Sequence, residues 1–363
     1  MERHGHKGQP YRCNCIVTLR RMTNHRSVLS LRLFAFSLLA ILCAGMDAGA
    51  IPATGRFSLS AEPATFFKAK RLYEERHVLQ SFAFDDSGGH LYVLQVEGAN
   101  AAGTFAEHSV RGDLVLTKLS LDGEIIAGHM VLRGFGHGVS MAIERVDDSI
   151  YVWTEVDSEP TPRNSGRGSK LGRFRFVDGV TLETSSTSIQ KFAPLAGARV
   201  CTPSIDPTTG RIAMRYVSTE GGWRVALFDL VALKAGNAKP ITDILLPFAF
   251  GTVQGWCSFG SYLYVYTGEA YGDDNPPPGN ATLWCVDWNT GAVVETRRTH
   301  ALGGLTYREP EGLAVQIVSG APRLCFGFGA AVAADDARRR VSIAYIADWH
   351  TAPDASAASA QVR

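Results

Sequence analysis

Residues 80–95, QSFAFDDSGGHLYVLQ, spell a short strand, a turn rich in Asp and Gly, and a second strand of alternating character. The pattern returns as VSMAIERVDDSIYVWT from residue 139, CTPSIDPTTGRIAMRY from 201, QGWCSFGSYLYVYT from 254 and PEGLAVQIVSGAPRLCFGF from 310. In each second strand an apolar residue recurs two places on, as with Leu91 and Val93 or Leu263 and Val265. That period puts both on one buried face. A sequence that repeats itself at roughly 50–60 residues is an array of supersecondary units rather than two unrelated domains.

A third strand follows every pair: LVLTKL, LGRFRF, VALFDL, LWCVDW and VSIAYI. Asp122-Gly123 and Asp178-Gly179 read as hairpin turns. Fourth strands are expected over residues 125–132, 181–192, 241–246 and 292–301. The fifth unit has no fourth strand after Ile346, so the strand-like stretch 57–67 is expected to supply it and close a ring. The fold is therefore read as all-β, a five-bladed β-propeller of four-stranded blades closed by an N-terminal strand. It is placed in one domain over residues 51–350, with a disordered tail at 351–363.

Ahead of it, Arg26 and Arg32 lead into the apolar run LFAFSLLAILCAG (33–45) and the small residues Ala48-Gly49-Ala50. These are the charged, apolar and cleavage regions of a signal peptide over residues 1–50, and the run is too short for a membrane span. Residues 1–21 read as a mis-assigned start, since Met22 also opens such a peptide. An extracellular or cell-envelope location, after cleavage before Ile51, is the expectation. With the seven basic and two acidic residues of 1–50 set aside, 29 basic residues face 33 acidic ones. No basic surface announces nucleic acid, so an anionic ligand would have to meet a local cluster. Cys201, Cys257, Cys285 and Cys325 remain after processing. They lie in strand-like runs without zinc spacing, either as buried thiols or with a bridge in one of three pairings.

In a propeller, the loop before strand one and the loop between strands two and three open on one face. Here the second kind is long: 97–112, 157–169, 268–280 and 329–340. Long loops on a rigid scaffold are where function is usually carried. The segments leading into the inner strands are polar and glycine-rich, and they bring Gln80, His137, Arg199, Gln254, Arg308, Glu309 and Glu311 toward the channel mouth. Arg199 and Arg308, with Gln80, Gln254 and Glu309, would bind a ligand, the arginines gripping phosphate or carboxylate. His137 would serve as general acid or base, and Glu309 with Glu311 would hold Ca²⁺ or Mg²⁺. Glu155 and Asp157 could reach the same mouth. No nucleophile elbow, phosphate loop or zinc signature occurs.

QSFAFD, LRGFGHGV, YVWTEVD, DWNTGAVV, and YREPEGLA followed by RLCFGFG resemble the TagC-like β-propeller family, the so-called teichoic acid biosynthesis protein C group. This type is also similar to receptor-binding propellers of some staphylococcal phages and, more distantly, to helveticin-type bacteriocins. The resemblance covers about 66–346, and the phage relatives imply recognition of glycosylated wall polymers. A biosynthetic role fits this chain poorly, because no nucleotide-sugar site is visible. Three readings stay open. One is binding of an anionic, teichoic-acid-like polysaccharide or polyol-phosphate polymer. Another is a secreted metal-dependent phosphodiesterase acting on polyol-phosphate or nucleic acid, and the third is a partner-binding scaffold.

Overall fold

The computed structural model describes residues 50–161, 165–247, 250–333 and 336–351. The expected signal segment before residue 50 and the expected tail from 352 lie outside them. Five antiparallel sheets are arranged as blades. From the axis outward, blade one runs Leu79–Asp85, His90–Val96, Leu114–Ser120 and Ile126–Arg133. Blade two runs Ala142–Val146, Ser149–Pro160, Gly166–Arg175 and Gln190–Phe192. Blade three comprises Arg199–Ile205, Arg211–Val217, Trp223–Asp229 and Thr242–Leu245. Blade four comprises Val253–Phe259, Tyr262–Thr267, Thr282–Asp287 and Val293–Arg298. Blade five follows with Thr306–Val318, Ala321–Ala331 and Arg339–Ile346. Each inner strand touches the inner strands of both neighbours, so the ring is complete.

The N-terminal segment does close that ring, a few residues later than expected. Ala64–Lys70 pairs antiparallel with Arg339–Ile346, placing Phe67 opposite Ile343. The earlier residues have a different partner. Arg56–Phe57 pairs with Trp349–His350, and the Phe57 ring meets Trp349 edge-on with centroids 4.8 Å apart.

Alternation along each second strand does more than separate core from solvent. Leu91, Tyr92, Val93 and Leu94 are all fully buried. Leu91 and Val93 pack with Phe67, Val341 and Ile343 toward blade five, whereas Tyr92 and Leu94 pack with Val152, Val156 and Phe174 toward blade two. A blade is covered on both faces, so period two sorts its residues between two cores. Three further cores fill the remaining blade interfaces.

Two turns depart from expectation. At Asp122-Gly123 only the glycine is left-handed (φ 72°), and the register shifts between Lys118 and Leu119. The connection is thus a bulged turn rather than a two-residue hairpin. After Asp178-Gly179 the chain does not fold straight back. Thr181–Glu183 crosses to blade one as a parallel fifth strand, and only Gln190–Phe192 completes blade two. The Asp178 side chain accepts a hydrogen bond from the His129 backbone N–H at 2.8 Å, which ties that crossing down. All four cysteines are buried free thiols.

Candidate functional site

The loops before the inner strands and those between second and third strands open on one face. There the glycine-rich segment before blade two is held by one carboxylate. Glu155, fully buried, accepts hydrogen bonds from the backbone N–H groups of His137 (2.9 Å) and Gly138 (2.6 Å), and from Gly168 across the hairpin. Glycine is required there: a Cβ on Gly136 would lie 2.2 Å from the Glu155 carboxyl carbon. Burial pushes Glu155 up, while the Arg167 charge and the three backbone donors pull it down. Its geometry is that of a clasp.

Arg167, on the third strand of blade two, is the electrostatic centre of the mouth. Its charge acts on Glu155, His137, Arg215 and Glu311, which come from blades two, three and five. The Nδ1 atom of His137 is buried without a hydrogen-bond partner. Burial first, then Arg167, pushes this imidazole down to about 3, so it is neutral at physiological pH. Glu311 is buried, and Gln80 lies 3.4 Å from its Oε1. Burial and then Glu309 drive Glu311 well above the usual carboxylate range. Glu309 is itself raised by burial, against the opposing effects of Tyr307 and Arg339.

The remaining expected residues sit elsewhere. Arg308 is 1% exposed, and its guanidinium donates to the carbonyl oxygens of Ala301 (3.0 and 2.8 Å) and Thr299 (3.0 Å). Its donors brace the blade-four-to-five connection. Gln254 donates to the Gly268 carbonyl at 3.1 Å. Arg199 is exposed on a bulge, beside the left-handed Val200 (φ 55°). Asp157 is taken up by Lys170 and Lys191. Trp153 and Trp256 are core residues.

Glu309 and Glu311 share no cluster with a third metal-capable side chain among the described residues. Among the described residues, the grouping of three such side chains is Glu97, His108 and Asp113, whose ligand atoms lie within 4.8 Å of one another. Two arginines already fill that cluster. Arg133 forks onto Glu97 and reaches Asp113 at 3.2 Å, and Arg111 Nε is 2.8 Å from Asp113.

What sequence reading missed is Arg215. It is 6% exposed, lies 3.5 Å over the Trp223 ring, and has no hydrogen bond or ion pair among the described residues. Burial and the like charge of Arg167 pull it down to about 9, which leaves it a cation at neutral pH. It lines a cavity of about 640 Å³ between blades two, three and four, with Thr161, Ser165, Arg167, Trp223 and Thr252. One signal was available in the sequence: a charge inside the apolar strand RIAMRYV.

Comparison with known proteins agrees with this architecture. A Bacillus subtilis (strain 168) protein named "Putative major teichoic acid biosynthesis protein C" is 29% identical over 249 residues, 66% of this chain and 52% of the relative. This chain thus spans about half the length of that relative. The tail fiber of Staphylococcus aureus phage P68 superposes with a TM-score of 0.63 at 15% identity, over 80% of this chain and 54% of the fiber. That likeness speaks to fold alone. The family described as the phage 5-bladed beta propeller receptor binding platform domain matches residues 78–327, and the chain belongs to it.

Proposed function

We propose that the channel mouth recognises an anionic cell-envelope glycopolymer of the teichoic-acid kind, outside the cytoplasm. The observation that carries this reading is Arg215. An unpaired buried cation costs several kcal/mol in an apolar setting, and a bound anion offsets that cost. The receptor-binding family and the teichoic-acid name of the Bacillus relative support the same class of ligand. The hydrolase reading has less behind it. A histidine pushed down to about 3 is a weak general base near neutral pH. Burial raises both Glu309 and Glu311, which disfavours the ionised form that a cation site uses.

The test is retention of the full chain on glycosylated poly(glycerol phosphate) against a neutral glucan, with and without chelator, while polymer length is followed. Salt-sensitive retention that ignores chelator, with polymer length constant, is expected. Chelator-sensitive shortening of the polymer would replace this reading with the hydrolase.

A further inference from the structure

The following rests on the recognition reading above and specifies the anion and how its chain lies. Two cavities meet at Arg215. Arg215, Trp223, Gly251 and Val253 wall both the 640 Å³ space and a second one of about 280 Å³. The larger space has polar walls, including Thr161, Ser165 and Arg167. The smaller is closed by Leu246, Pro247 and Phe250, and it falls just below the ~300–1,000 Å³ of drug-sized ligand sites. The guanidinium between them is fixed in place by Trp223 and has donors to spare.

An anion seated at such a saddle must carry a substituent on each side. A pendant carboxylate has one attachment and would fill one cavity. A phosphodiester has two ester arms and two non-bridging oxygens, and it keeps a single negative charge across neutral pH. Single-stranded nucleic acid also offers phosphodiesters, but it binds by stacking bases on open aromatic faces. Here one face of Trp223 is covered by Arg215. The geometry points to a backbone phosphodiester of a polyol-phosphate polymer seated on Arg215, with one neighbouring unit in the small apolar cavity and the chain continuing through the large one.

The experiment compares retention of the full chain on synthetic poly(glycerol phosphate), polygalacturonate and oligo-dT. The native protein should hold poly(glycerol phosphate) about tenfold or more tightly than either other polyanion, and Arg215→Leu should lose about tenfold or more on it. Arg215→Lys keeps the charge but not the planar fork, so it should also bind less well, and it serves as the test if the leucine variant does not fold. Equal retention on polygalacturonate, or unchanged binding by both variants, would overturn the phosphodiester seat while leaving polymer recognition standing. Preference for oligo-dT would overturn the polyol assignment. If the native protein held none of the three, and no glycosylated poly(glycerol phosphate) either, the recognition reading would fall with it.

Discussion

Two arginine clusters, one in blade one and one at the channel mouth, use the same residue type to opposite ends. In blade one, Arg111 and Arg133 meet Glu97, His108 and Asp113, and the Gly134 backbone N–H adds a 2.9 Å bond to Asp113. Asn100 Oδ1 lies 3.2 Å from His108 Nε2. The cluster is assembled from the second strand, the helix Phe105–Arg111 and the fourth strand of one blade, and every charge finds its partner inside. Burial alone would raise Asp113, but hydrogen bonds from His108, Arg111 and Gly134 bring it below its ordinary value. At the mouth, Arg215 is more deeply buried than Arg133, yet among the described residues it meets the Trp223 ring and no carboxylate partner. Charges closed among themselves hold a fold together, whereas Arg215 is the charge on which the proposed recognition rests.

The largest effect should come from opening the closed cluster. Asp113→Ala leaves two arginines and a histidine without their shared acceptor, and loss of one member of a buried pair costs about 3–5 kcal/mol. Urea denaturation should show that fall, with polymer retention per folded molecule unchanged. An unmoved midpoint would mean the blade-one cluster is not structural. Next comes Arg308→Ala, which removes a charged donor from two backbone carbonyls and should cost about 2–3 kcal/mol without changing retention. A fall in retention at constant stability would return Arg308 to the binding surface.

His137 sharpens the contrast through pH. Its pKa is depressed to about 3 in the folded protein against 6.5 unperturbed, so between those values the unfolded chain binds the proton and the native one does not. Stability is therefore complete above pH 6.5 and is lost as pH falls toward 3, by up to ~1.4 kcal/mol per pH unit from this group. His137→Leu should flatten that part of the thermal-midpoint profile, and an unaltered profile would show that the imidazole is not held neutral. The smallest effect is expected at Arg199, which is exposed on the bulge that opens blade three. Arg199→Ala should change stability by less than ~0.5 kcal/mol, and an unchanged retention curve would keep Arg199 off the ligand path.

Sequence alone carried the ring. Five Asp- and Gly-rich hairpins at near-regular spacing, and the missing fourth strand after Ile346, required an N-terminal strand to close it, because main-chain pairing and period-two burial are local rules. They also placed the long loops on one face and brought Gln80, His137, Glu309 and Glu311 toward the axis. Tertiary structure decided the rest, because partnership is a property of neighbours in space. Arg308 and Arg215 look alike in sequence, each a lone arginine beside an aromatic. Packing turned one onto carbonyls of the preceding connection and left the other over Trp223, facing a cavity walled by blades two, three and four.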